Sequence, residues 1–136
     1  MTPATRFGSM TTEARIVDPV VLIRVPQAFR PGMSDLALYE ATRGVWKIGP
    51  RRDKVRYALA VYEGVVQEAY EISYWQPAWT TPYRTRKFDN TEMPGRWEFV
   101  GSVAPEAVQV RYVGKSVRSH FSRGAQNPIM YVNVPI

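Results

Sequence analysis

KVRYALAVYEGVVQEAYEISYW, residues 54–75, decides the fold. Its β-branched and aromatic residues divide at Glu63-Gly64 into two antiparallel strands, 56–62 and 65–74. In the second strand Val66, Tyr70, Ile72 and Tyr74 fall on one face and Gln67 and Glu71 on the other, with Glu68 interrupting the apolar side. That period of two is the mark of a half-buried sheet.

Working outward, Val20 to Val25 form an apolar run between Pro19 and Pro26, which predicts a buried strand. SDLALYEATRG predicts a helix over 34–43, with Ser34 as N-cap, Asp35 at the positive end and Gly44 as the C′ residue. Downstream, QPAWTTPYRTRKFDNTEMPG, residues 76–95, holds three prolines without periodicity and predicts a long loop. Loops of that length are uncommon in compact domains and are usually functional or disordered. RWEFVGSV predicts a strand over 97–103, with Trp97 and Phe99 on the core side. A short helix is expected near Pro105, a further helical segment in KSVRSHFSRG, and a closing strand in NPIMYVNV.

About five or six strands with two or three short helices predict an α+β protein, a small mixed or antiparallel β-barrel. The 136 residues suffice for one core. Residues 1–15 read as a flexible leader, with Met10 an alternative start, and residues 16–136 as a single domain.

Zero cysteines and one histidine exclude thiolate or poly-histidine metal sites, disulfides and a Cys-His catalytic pair. No metal or other cofactor is expected. No apolar run spans a bilayer, which predicts a cytoplasmic protein without a membrane partner. The net charge of +6 is carried mainly by arginine, whose planar fork suits phosphate and stacks on rings. Beside 12% aromatic residues, this composition points toward nucleic acid.

The cations fall in groups. Arg43, Lys47, Arg51, Arg52 and Lys54 form one, and Arg84, Arg86 and Lys87 form another within the long loop. Facing the same way they would clamp phosphates; otherwise they are solvated charges that maintain solubility. Trp75 and Trp79 bracket Pro77 at the mouth of the loop and are the leading stacking candidates, with Tyr74 and Tyr83 able to complete a cage. Trp46 reads equally as core or as lip. Stacking a base on such a ring contributes roughly 1–3 kcal/mol. Asp89, Asn90, Thr80, Thr81, Gln126 and Asn127 are available to read a base edge, and nothing selects among them. His120 reads as an exposed or capping residue.

The helix followed by ATRGVWKIG, then YALAVYEGVVQEAYEI, RWEFVG, YVGKSV and NPIMYVN, resembles the PUA-like superfamily of small barrels, which includes the ASCH, EVE, YTH and SRA domains. More narrowly, these phrases are similar to a small bacterial domain found alone or beside restriction-modification nucleases, and the likeness covers residues 17–134. It implies nucleic-acid binding, often with one modified base held in an aromatic pocket. SRA-like capture of 5-methylcytosine in DNA is the leading expectation, and RNA binding of the YTH or EVE kind the alternative. No pocket motif of either aligns residue by residue, so the base stays open. Some ASCH proteins are amidohydrolases using a lysine and a threonine three apart. Here Lys47, Lys54, Lys87 and Lys115 are followed at that spacing by Pro50, Tyr57, Asn90 and Arg118, so a non-catalytic module is expected. A partner nuclease docked on the proline-rich loop is a further possibility.

Overall fold

Glu63 and Gly64, with φ of 50° and 79°, turn the chain between the central strands. Such a two-residue connection matches the twist of a hairpin, and Gly64 adopts its left-handed conformation without steric cost. A computed structural model describes residues 11–25, 30–86, 94–122, 124 and 126–136. The strands are β1 (Val20–Arg24), β2 (Gly44–Lys47), β3 (Tyr57–Tyr62), β4 (Val65–Pro77), β5 (Arg96–Val103) and β6 (Ile129–Val132). The helices are α1 (Asp35–Arg43) and α2 (Glu106–Tyr112), with 3₁₀ turns at Pro50–Lys54 and Arg118–His120.

All six strands form one sheet in the order β2-β5-β4-β3-β1-β6. β1 runs parallel to β3, and every other pairing is antiparallel. The mixed sheet curls into a half-barrel, the small α+β barrel-like architecture expected.

β1 is buried on both faces, which explains its unbroken VVLI. Val20 and Leu22 join Leu59, Val61, Ala69, Val108 and Tyr112 in one cluster, while Val21 and Ile23 join Ala58, Ala60, Tyr70 and Phe99 in the other. Leu38 and Tyr39 of α1 pack against the second. The Tyr112 hydroxyl donates to Asp18 Oδ2 at 2.6 Å and accepts from the Val17 and Asp18 amides, tying the segment before β1 to α2. Residues 12–14 were expected within the leader, but Ser116 N donates to Thr12 O and Ala14 N to Ser116 O. Met10 and the residues before it lie outside the described residues.

Strict alternation in β4 is corrected by register shifts. The ladder slips between Ala60 and Val61, so Val66 packs in the first cluster and Tyr70 in the second. It slips again between Ile72 and Tyr74, so Ile72 and Trp75 share a face and Tyr74 is left 55% exposed. An extra residue at a bulge reverses the facing of all that follow and bends the strand. Gly44 is corrected too. Its φ of −168° is extended backbone, and it opens β2 instead of closing α1 in a left-handed turn.

Candidate nucleic-acid interface

Glu98 lies in β5 between Trp97 and Phe99 and has no solvent exposure. Its carboxylate pairs with Arg43 Nη1 at 3.2 Å. It also accepts from Gln76 Nε2 at 2.6 Å, Trp79 N at 2.9 Å, Thr81 N at 3.0 Å and Tyr83 Oη at 2.7 Å. Burial is the largest single influence and would raise its pKa, but the hydrogen bonds from Tyr83, Thr81, Trp79 and Gln76 together hold the carboxyl below its ordinary range. Burial and the bond to Glu98 push the Tyr83 hydroxyl well up, so it remains a donor. Glu98 therefore fastens the first half of the loop to the sheet.

Glu40, near the end of α1, does the same for Arg84 and Thr85, further along the loop. It accepts from the amides of Arg84 and Thr85, and from Thr85 Oγ1 at 2.5 Å. Burial opposes its ionisation, yet these bonds and Arg43 lower its pKa overall. Arg86 reaches back to the carbonyls of Glu40, at 3.0 Å, and Gly44, at 2.5 Å.

These contacts sort the predicted phosphate ligands. Arg43 is 3% exposed, paired with Glu98 and lying 3.8 Å from the Tyr83 ring centroid, so it serves the interior. The half-buried Arg86 secures the joint between α1 and β2. Arg51 donates to the carbonyls of Val134, at 2.7 Å, and Pro135, and lies over Tyr131. Arg52 lies 3.5 Å from the Trp97 ring centroid. Tyr131 belongs to the edge strand β6, and Trp97 pairs with the opposite edge strand β2. The 3₁₀ turn thus bridges the open seam of the curled sheet. Lys47, Lys54 and Arg84 are exposed, and Lys87 lies outside the described residues, as do Asp89 and Asn90.

The five predicted base-binding rings do not gather into one cage. Trp46 Nε1 donates to Thr42 O at 2.7 Å, and its ring packs on the core. Trp75 meets Phe99 edge to face at 5.4 Å within the same cluster. Tyr74 projects from the opposite face of β4. Trp79 and Tyr83 do meet, at 5.1 Å, on the loop held by Glu98. Trp79 has φ of 73°, a left-handed conformation that costs a bulky residue about 1–3 kcal/mol. The Glu98 bond to its amide helps to hold it there.

Sequence reasoning missed Glu40 and Glu98, the residues that organise the loop. No local signal marked Glu98, since alternation with Trp97 and Phe99 places it on the outward face of the strand, and it is buried only because the loop covers that face. Arg56 and Tyr131 were missed as well. Arg56 is exposed just before β3, and Tyr131 lines a cavity beside the basic turn. Among the described residues no three of His, Cys, Asp and Glu are grouped to hold a metal, and no helix is long and apolar enough to cross a membrane.

Fold and site together define a small α+β protein with a curled six-stranded sheet, a seam closed by arginines and a loop pinned by buried carboxylates. No family model matches the chain, and no curated protein or solved structure matches it.

Proposed function

We propose that this chain is a nucleic-acid-binding module of the PUA-like kind. The carrying observation is the basic stretch from β2 to β3. Lys47, Lys54 and Arg56 are exposed there, around the half-buried Arg51 and Arg52, with Asp53 as the one acid in residues 47–56. Structural contacts occupy Arg43 and Arg86, so the strand's phosphates fall to the exposed cations. Each phosphate neutralised on duplex DNA contributes about −0.9 to the slope of log K against log salt.

The finer reading, capture of a 5-methylcytosine-type base, attaches to the loop. Trp79 and Tyr83 are half-buried and adjacent there, and Arg84 is exposed beside them. Burying one methyl carbon contributes about 0.8 kcal/mol, and pocket discrimination by one such group is about 1–3 kcal/mol, so the preference is modest. Titration with matched methylated and unmethylated oligonucleotides, single- and double-stranded, tests both levels. Tighter binding of the methylated strand, lost in Trp79→Ala, is expected. Binding indifferent to methylation removes the base reading and leaves strand binding standing, and competition by RNA that outmatches the same DNA sequence assigns the module to RNA.

A further inference from the structure

Beside the seam of the half-barrel lies a pocket of about 370 Å³ that opens broadly to solvent. Its lining includes Lys47, Arg51, Asn127 and Tyr131, with Ile48 and Ile129 as apolar wall. Among the described residues no carboxylate lines it. Ligand pockets begin at about 300 Å³. The pocket beside α1, lined by Tyr39, Glu40, Arg43 and Arg84 among others, measures about 250 Å³, and its Glu40 and Arg43 already serve the loop. Among the described residues the Tyr131 hydroxyl, which belongs to this seam lining, is one of the side-chain atoms buried without a hydrogen-bond partner. Buried polar groups are seldom left so, because an unmade bond forfeits the group's full desolvation cost.

We infer that this seam pocket is a binding site for a phosphomonoester. Lys47 supplies an exposed charge, and Arg51, whose Nε and Nη2 hold the Pro135 and Val134 carbonyls, adds its positive charge from the wall, so that a dianion is matched where a carboxylate would match only one of them. The Tyr131 hydroxyl supplies a neutral donor, and Ile48 and Ile129 accept the apolar part of the molecule that bears the phosphate. A free mononucleotide and the phosphorylated end of a strand both present this group. The site shares Lys47 and Arg51 with the basic stretch, but a mononucleotide has no backbone to follow along it, so its binding is read independently of strand binding.

Calorimetric titration of the full chain with 2′-deoxycytidine 5′-monophosphate, with deoxycytidine and with inorganic phosphate tests the assignment. The nucleotide is expected to bind at least about tenfold more tightly than the nucleoside, the equivalent of one hydrogen bond to a charged group. Inorganic phosphate should compete with it. Lys47→Gln should weaken the nucleotide about tenfold. Tyr131→Phe should weaken it too, while leaving the melting temperature unchanged or higher because an unpaired buried hydroxyl is removed; a hydroxyl with only a structural role would lower it. Oligonucleotides with 5′-phosphate and 5′-hydroxyl ends separate the sources. Preference for the phosphorylated end marks a strand terminus, and equal binding of both, with the nucleotide still bound, marks the free mononucleotide. The inference is overturned if the nucleotide binds no better than deoxycytidine, or if both variants leave its affinity unchanged. Salt-dependent binding of hydroxyl-ended strands in that event leaves the nucleic-acid reading intact.

Discussion

Glu98 carries a charge onto a covered face of the sheet, and the loop from Trp79 to Tyr83 folds to meet it. Glu98→Gln removes the carboxylate that the buried Arg43 guanidinium pairs with at 3.2 Å, leaving only the more distant charge of Glu40. Breaking a buried pair on one side costs about 3–5 kcal/mol, and urea unfolding should show that loss at neutral pH. The pH dependence follows from the direction of the shift. Folding lowers the pKa of Glu98 and of Glu40 below the roughly 4.3 of an unfolded glutamate, so each stabilises fully above that value. Their contribution disappears as pH falls through the lower folded values. Wild-type stability should therefore hold from neutrality down to about pH 5 and decline below about pH 4, while the gap to Glu98→Gln narrows. A gap that widens on acidification contradicts this assignment.

At the scale of elements, Gly44 and Gly101 stand where strand and loop leave no room for a side chain. A Cβ at Gly44 would stand 2.2 Å from Tyr83 Oη and 3.0 Å from Glu98 Cβ, so Gly44→Ala should displace the tyrosine that anchors the loop. Overpacking of this kind costs about 1–3 kcal/mol, and the fluorescence of Trp79 should shift with it. At Gly101 the clash is with the backbone carbonyl of Glu71, at 2.2 Å, which cannot swing aside. Gly101→Ala should be the more destabilising in thermal melts. The central hairpin, β1, α1, β5 and β6 were legible because local periodicity, caps and turn residues agree with the fold there. β2 was not, since Gly44 after an arginine-ended helix also fits a helix terminator. The β4 bulges were not legible either, because a register shift depends on the partner strand and leaves no local mark in YEISYW. The site was less legible than the fold. A cluster of arginines shows its charge in the sequence, but whether Arg43 meets a phosphate or Glu98 is settled only by residues 55 positions away.

Over the whole molecule, the net charge of +6 divides between interior and surface. Arg43 and Arg86 hold the fold, Arg51 and Arg52 close its seam, and Lys47, Lys54 and Arg56 remain exposed on the stretch between β2 and β3. Replacing Arg51 by glutamine removes its bonds to Val134 and Pro135, so it should lower the melting temperature as well as binding. Lys54→Gln and Arg56→Gln should stay within about 0.5 kcal/mol of wild-type stability, as exposed substitutions do, and act on binding alone. Their salt dependence is the most direct test of strand binding. Affinity for a duplex oligonucleotide would be measured across a salt series for the wild type and for the Lys47→Gln, Lys54→Gln, Arg56→Gln triple variant. The predicted result is a wild-type log–log line that falls with salt and a variant line shallower by about 0.9 for each phosphate contact removed. Equal slopes for the two proteins, or no binding by the wild type at low salt, would contradict it.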